Sequence, residues 1–219
     1  MRAPARVAAL LACTALTVGC GPKTPDYQAI WTTTSKPASA TTAEAPVPVA
    51  KYLEDSGVGV EQVAPGSLTD LTVSIPTPPG WSKRQDPNLP PGTQVIGQGD
   101  KYPSAILTVF KLTGNVNAAE VVKHGLTDAT LSRNFHRLDS STADFHGFPS
   151  AMVQGSHDLG SQRVHTWFRM VVATGRATGS PPAGQHYLVQ LTIVTLADQA
   201  AKQAADVEAV INGFTVAAK

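Results

Sequence analysis

Cysteine is almost absent from this chain. There are two, Cys13 and Cys20, both within the first twenty of 219 residues. Everything after Cys20 is therefore without a disulfide framework or a cysteine metal site. Charge is also scarce, at 15 % of residues, and neither sign dominates, for the formal net charge is +1. If Arg2 and Arg6 leave with a cleaved leader, fifteen basic residues face sixteen acidic ones, and bulk charge gives nucleic acid no reason to bind. Catalytic signatures are missing as well. No G-x-S-x-G elbow, no H-x-H or H-E-x-x-H pair and no glycine-rich loop between a strand and a helix occurs, so no cofactor and no metal is expected.

What is present begins at the N-terminus. Arg2 and Arg6 precede a run, Val7 to Gly19, that is apolar apart from Cys13, Thr14 and Thr17. A cationic start, an apolar stretch of about 13 residues and small residues at its end predict a secretory signal peptide. The run is shorter than the roughly 20 residues a permanent membrane helix needs. Its end, Thr17-Val18-Gly19-Cys20, resembles a bacterial lipobox. That resemblance implies cleavage after Gly19 and a lipid on the Cys20 thiol. Leu10-Leu11-Ala12-Cys13 fits the same letters but leaves too short an apolar stretch before it. Since one acyl chain holds only marginally and two or three hold well, a lipidated Cys20 is a membrane anchor on the extracytoplasmic face.

Residues 20–50 have a different composition. Thr, Ser, Pro and Ala make up most of the segment, including "TTTSKPASATTAEAPVPV". Such a stretch cannot bury enough apolar surface to offset chain entropy, which predicts a flexible tether. Its clusters Thr32–Thr34 and Thr41–Thr42 are candidates for O-linked sugar.

Residues 51–219, about 170, are enough for one sizeable core. "LTVSI" (71–75) alternates apolar and polar residues as a half-buried strand does. "SAILTVFKL" (104–112) is apolar on both faces and reads as a central strand. Asn117, with Glu120 three residues on, predicts a capped helix that Gly125 weakens. Three strands then follow as a meander, 150–157, 163–172 and 186–196, the first two joined by "DLGS" as the turn. A last helix carries Ala200, Ala204, Val207 and Ile211 on one stripe and stops at Gly213. Hairpins in succession with separate helices predict an α+β class, a central antiparallel sheet flanked by helices.

Candidate chemistry is thin. Ser156, His157 and Asp158 stand side by side, but neighbours on a strand point to opposite faces and cannot form a nucleophile–base–acid chain. With the turn at 158–161, His157 pairs with Gln162 and does not face His165. Arg163, Trp167 and Arg169 share one strand face, an aromatic flanked by cations, and form a candidate binding face for a sugar or an anionic partner. A covering helix is the alternative for that face.

The blocks "IPTPPGW", "KLTGNVN", "GFPSA" and "YLVQLT", with the lipobox, resemble the mycobacterial LpqN/LpqT lipoproteins, the LpqT branch most closely. The resemblance implies a Mog1/PsbP-like fold, an α/β/α sandwich, in an actinobacterial cell envelope. It supplies no catalytic residues. The expected function is a lipid-anchored, non-enzymatic binding or adaptor module, its partners the membrane through the N-terminal lipid and an envelope protein. The alternatives are a carrier of envelope lipids or glycolipids and an envelope hydrolase. A carrier needs an enclosed apolar pocket, lined for example by Met152, Phe168 or Leu191. A hydrolase needs Ser156 or Ser161 beside a distant His and carboxylate.

Overall fold

The computed structural model describes residues 46–177 and 184–219. The signal peptide, Gly19, Cys20 and nearly all of the tether lie outside them. The described chain is an α+β sandwich built on one antiparallel sheet. Its strands are β1 (Gly59–Val63), β2 (Leu71–Ser74), β3 (Ser82–Arg84), β4 (Gln94–Gly97), β5 (Ser104–Thr113), β6 (His136–Ser141), β7 (Ser150–Leu159), β8 (Gln162–Thr174), β9 (His186–Leu196) and β10 (Thr215–Ala218). The helices are α1 (Val49–Asp55), α2 (Ala118–Thr130) and α3 (Ala204–Gly213). α1 thus begins two residues before Lys51, the expected start of the folded part.

The main sheet runs β3-β4-β5-β9-β8-β7-β6, with β1 pairing to β5 beside β4. The meander β7-β8-β9 and the central place of β5 follow the sequence expectation. β2 does not join this sheet: it pairs with β10 as a separate two-stranded ribbon, Leu71 opposite Ala218 and Ser74 opposite Thr215.

Strand alternation sends odd and even residues of β8 to different cores. On one face Trp167, Val171 and Ala173 join Tyr187, Val189, Leu191 and Ile193 of β9 beneath the ribbon and α3. On the other, Met170, Val172 and Leu188 pack beneath α1 and α2 with Leu53, Val121 and Val122. Helices therefore cover both faces.

Three local expectations change. The β7–β8 turn is tighter than "DLGS", because Leu159 and Gln162 already pair and only Gly160 (φ 62°) and Ser161 turn the chain. A glycine that adopts positive φ without strain permits that two-residue turn. His157 accordingly faces Val164, and Ser156 faces His165. The shift is by two residues, so every side chain keeps its expected face. Asn117 caps α2 by accepting from the Glu120 N–H at 3.4 Å, but the Glu120 carboxylate pairs with Lys123 at 3.2 Å and does not reach back to close the box. Gly213 ends α3 without a left-handed turn; a Cβ there would lie 2.6 Å from Pro76 Cγ, so close approach selects the glycine. Gly125 has the same explanation, with Met170 Sδ 2.6 Å from where its Cβ would be. Ala200 precedes α3 and is buried with Ala197 in a small separate cluster.

Candidate functional site

α2 lies on β7 and β8, and α1 lies against α2. The sheet extends well past the C-terminal end of α2, and that half has no helix on it. The side chains on this side are Ile106, Thr108 and Phe110 of β5, Gln190, Thr192 and Val194 of β9, and Thr166 and Phe168 of β8, all half-buried, with Phe110 and Phe168 still packed against the core beneath α1 and α2. Register sets them in rows: Thr108 opposite Gln190, and Ile106, Thr192 and Phe168 in line across three strands. The alternate residues of β5 and β9 (Ala105, Leu107, Val109; Val189, Leu191, Ile193) and Trp167 of β8 are core residues, so the sheet itself holds the rows in place.

A groove of about 360 Å³ opens where α2 ends over this surface. Asp128, Ala129 and Ser132 form its helix wall, Phe135 and His157 its far side, and Phe168, Gln190 and Thr192 its floor. Two further depressions adjoin it. One of about 430 Å³ beside α1 shares Gln190 and reaches Phe110 and Val60. The other, of about 470 Å³, shares Val194 and reaches Leu159, Tyr102 and Arg84. Joined through Gln190 and Val194, the three make one trough, walled at its α1 end by Val49, Ala50, Leu53 and Glu54. Among the described residues the large apolar side chains that remain exposed are Val60, Leu131 and Leu159. Val60 and Leu159 line the two outer depressions, and Leu131, the C-cap of α2, stands between groove-lining Ala129 and Ser132.

The titratable groups of the groove are both biased toward neutrality. Burial raises the Asp128 carboxyl above its ordinary range, although its Oδ1 accepts from the Val49 N–H at 3.0 Å. Burial, then the charge of Arg163, lowers His157. The groove thus offers hydroxyls, an amide, an imidazole, two phenyl rings and the Asp128 carboxyl.

The residues singled out in the sequence are distributed over both faces. Ser156 and Asp158 lie on the face opposite His157, as strand alternation requires. Arg163 holds both of them, donating to Asp158 Oδ1 at 3.0 Å and to Ser156 Oγ at 2.7 Å. Ser156 is fully buried across from His165, which is 2 % exposed and bonded to the Gln154 amide at 3.0 Å. Burial lowers the His165 pKa to about 4. Of the residues named for a carrier pocket, Phe168 lines the groove, whereas Met152 and Leu191 belong to the core on the other face. Among the described residues no three of His, Cys, Asp and Glu gather as a metal site.

Arg163, Trp167 and Arg169 do share a face, yet they do not form an open binding surface. Trp167 is 5 % exposed in the core below the ribbon and α3. Arg163 is occupied at the β7–β8 end. Arg169 stands over the Trp167 ring at 5.4 Å and the Phe145 ring at 4.7 Å. The trough, by contrast, was not legible: its residues come from seven strands, from α1 and from beyond the end of α2, and no local pattern marks where a helix stops covering a sheet.

An antiparallel sheet with helices on both faces, half of one face left open, defines the class: an α+β sandwich domain with an exposed sheet floor. The chain belongs to the family described as "Probable lipoprotein LpqN", which matches residues 45–217. It is 57 % identical over 218 residues to "Putative lipoprotein LpqT" of Mycobacterium tuberculosis H37Rv, covering 99 % of this chain and 95 % of that protein. It is 52 % identical over 202 residues to the protein of the same name in Mycobacterium leprae, covering 92 % and 90 %. Among solved structures, that of "LpqN involved in cell envelope biogenesis of Mycobacterium tuberculosis" superposes with a TM-score of 0.65 at 19 % identity, over 79 % of this chain and 99 % of that one. The last likeness is one of fold. The family match and these relatives make the protein a member of a lipoprotein family with mycobacterial members.

Proposed function

We propose that this lipoprotein is a non-enzymatic binding module, anchored to the membrane through Cys20, which docks an envelope protein on the open half of its sheet. The observation that carries the reading is that, of the exposed large apolar residues among those described, Val60 and Leu159 line that one trough, and Leu131 follows groove-lining Asp128 and Ala129 at the end of α2. Apolar groups gathered at one surface, with hydrogen-bonding side chains between them, suit a protein interface.

The test is photocrosslinking of the full chain in its envelope, with a photoreactive residue in place of Thr192. A discrete protein adduct should form and should disappear when Val60→Ser, Leu131→Ser and Leu159→Ser are combined. No adduct, or one that survives the combined variant, overturns the reading. The anchor is tested separately, for Cys20→Ala should move the protein out of the detergent phase of membrane extracts.

A second reading, carriage of a lipid or glycolipid, draws on the groove volume of about 360 Å³ and its two phenyl rings, Phe135 and Phe168. The groove is open along its length rather than enclosed, so we rank this reading second. An added mass on the intact chain in native mass spectrometry, lost on organic extraction, would promote it.

A further inference from the structure

Three arginines of the described residues are half-buried, and the fold treats them differently. Arg84 is caged by carbonyls, donating to those of Gly99 at 2.9 Å, Lys101 at 3.4 Å and Pro103 at 3.5 Å. Arg163 has a carboxylate, Asp158 at 3.0 Å, with the Ser156 hydroxyl and the Asn134 carbonyl as well. Arg169 has neither arrangement. Its Nη1 donates to Ser150 Oγ at 3.0 Å, and that hydroxyl gives its own proton to the Ala143 carbonyl at 2.7 Å. Its Nε, like that of Arg84, is buried without a hydrogen-bond partner, but Arg169 has no carbonyl cage around its terminal nitrogens. Among the described residues no carboxylate is within ion-pair range of it.

The seat of this guanidinium is nonetheless built. The Phe145 ring lies 4.7 Å and the Trp167 ring 5.4 Å from Cζ. Trp167 is locked in the core. Phe145 is carried by a two-residue hairpin in which Phe145 and Phe148 exchange backbone hydrogen bonds and His146 (φ 53°) and Gly147 (φ 83°) turn the chain. It also stacks on Phe214 at 5.0 Å. Aromatic faces and one hydroxyl orient a cation but leave its charge uncompensated. Burial lowers the Arg169 pKa, which is the cost of hydration given up without a counter-charge.

We propose that Arg169 is the cation of an oxyanion-binding site on the face of the sheet opposite the trough, taking a single carboxylate or phosphate group. Ser150, Phe145 and Trp167 fix the plane of the guanidinium, and Nη2, which no described residue engages, is the donor that the anion reaches. An oxyanion there receives a charge-assisted hydrogen bond from a donor already oriented, so little ordering is spent on binding. The site needs no contribution from the trough, so the two stand or fall separately.

The experiment is a titration of the full chain in neutral detergent, followed by the arginine side-chain Nε–H signals in NMR. The probes are inorganic phosphate and acetate, with chloride at matched ionic strength as the control. The Arg169 signal, assigned by its loss in Arg169→Lys, should shift saturably with an oxyanion and not with chloride, while those of Arg84 and Arg163 stay in place. A response to phosphate alone or to acetate alone identifies the group. With the Trp167 indole N–H as reporter, Arg169→Lys should weaken binding about tenfold and Arg169→Met should abolish it. A shift that merely follows ionic strength, or a Trp167 response that persists in Arg169→Met, overturns the proposal. Should Arg169→Met fail to fold, Arg169→Lys reads the same difference.

Discussion

The two faces of the main sheet are made by the same strands and end differently. Along β9, Tyr187, Val189, Leu191 and Ile193 are all buried under the ribbon and α3, while Gln190, Thr192 and Val194, one residue away on the other face, are half-exposed. The covered face is apolar along β9 from Tyr187 to Ile193 and turns polar only toward Thr195, His165, Gln154 and Ser156, which are buried as well. The open half holds Thr and Gln where a filled core would hold Leu or Val, interrupted by Phe168, Ile106 and Phe110. A sheet that had simply lost a helix would expose a continuous apolar floor and would tend to aggregate. This one has a floor composed for water and for contact at once, which is what makes it a candidate site rather than a defect.

The comparison breaks first, and most severely, through a phenyl ring on each side. Phe214 is 1 % exposed and stacks on Phe145. Phe214→Ala should cost about 3–5 kcal/mol, through lost burial and the cavity left behind. Phe168→Ala, on the floor of the groove, should cost less, about 2 kcal/mol, since that ring is only partly buried against the core beneath α2. Urea denaturation of both variants measures the difference. Equal losses would mean that the open half is a core in disguise.

Acid should separate the faces next. His165 sits on the covered face, bonded to Gln154, across from Ser156 and with Arg163 two residues along the same face. Its pKa is lowered from 6.5 to about 4, because burial opposes its charge. The folded state therefore binds this proton less readily than the unfolded chain does. Stability from the neutral imidazole is complete above pH 6.5 and is lost as the pH falls toward 4, by at most about 3 kcal/mol. His165→Gln should flatten the stability profile over that window. A profile unchanged by this substitution would show that His165 protonates without cost to the fold.

Much of this frame was legible because it is local. Alternation marks β2, an unbroken apolar run marks β5, and β9 runs over the expected residues, His186 to Leu196. β6 was not legible, for "HRLDSS" is an edge strand with little to alternate, and β1 is exposed at its first three positions. β10 follows α3 with no turn signal and exists because β2 is there to pair with it. The strand face of Arg163, Trp167 and Arg169 could be read from a period of two. What covers it could not: the ribbon pairs strands from opposite ends of the folded chain, with α3 leading into one of them, and Phe145 comes from a loop. The trough was hidden for a related reason, because it is defined by where α2 stops.

Gly125 sharpens the comparison on the half that α2 does cover. In an exposed helix alanine is preferred to glycine by about 1 kcal/mol. Here an added Cβ would meet Met170 Sδ at 2.6 Å, and Met170 is fully buried. Gly125→Ala should therefore destabilise by about 1–2 kcal/mol. Adding Met170→Val should recover part of the loss, since the shorter side chain makes room for the methyl group. If Gly125→Ala stabilises instead, α2 is not pressed onto β8, and its end does not define the groove.

The smallest expected effect on stability carries the most information about the open half. Val60→Ser, Leu131→Ser and Leu159→Ser each remove an exposed apolar side chain with no core on its far side. Each should change unfolding free energy by less than about 0.5 kcal/mol. That follows because a half-exposed side chain gains little from folding, whereas one buried under α3 gains nearly all its transfer energy. The same three substitutions are the ones that should abolish the Thr192 crosslink. Loss of contact without loss of stability separates a surface kept for a partner from one kept for the fold. If any of the three instead costs 2 kcal/mol or more, as core deletions do, that residue is packed by the chain itself, and the trough is narrower than its rim suggests.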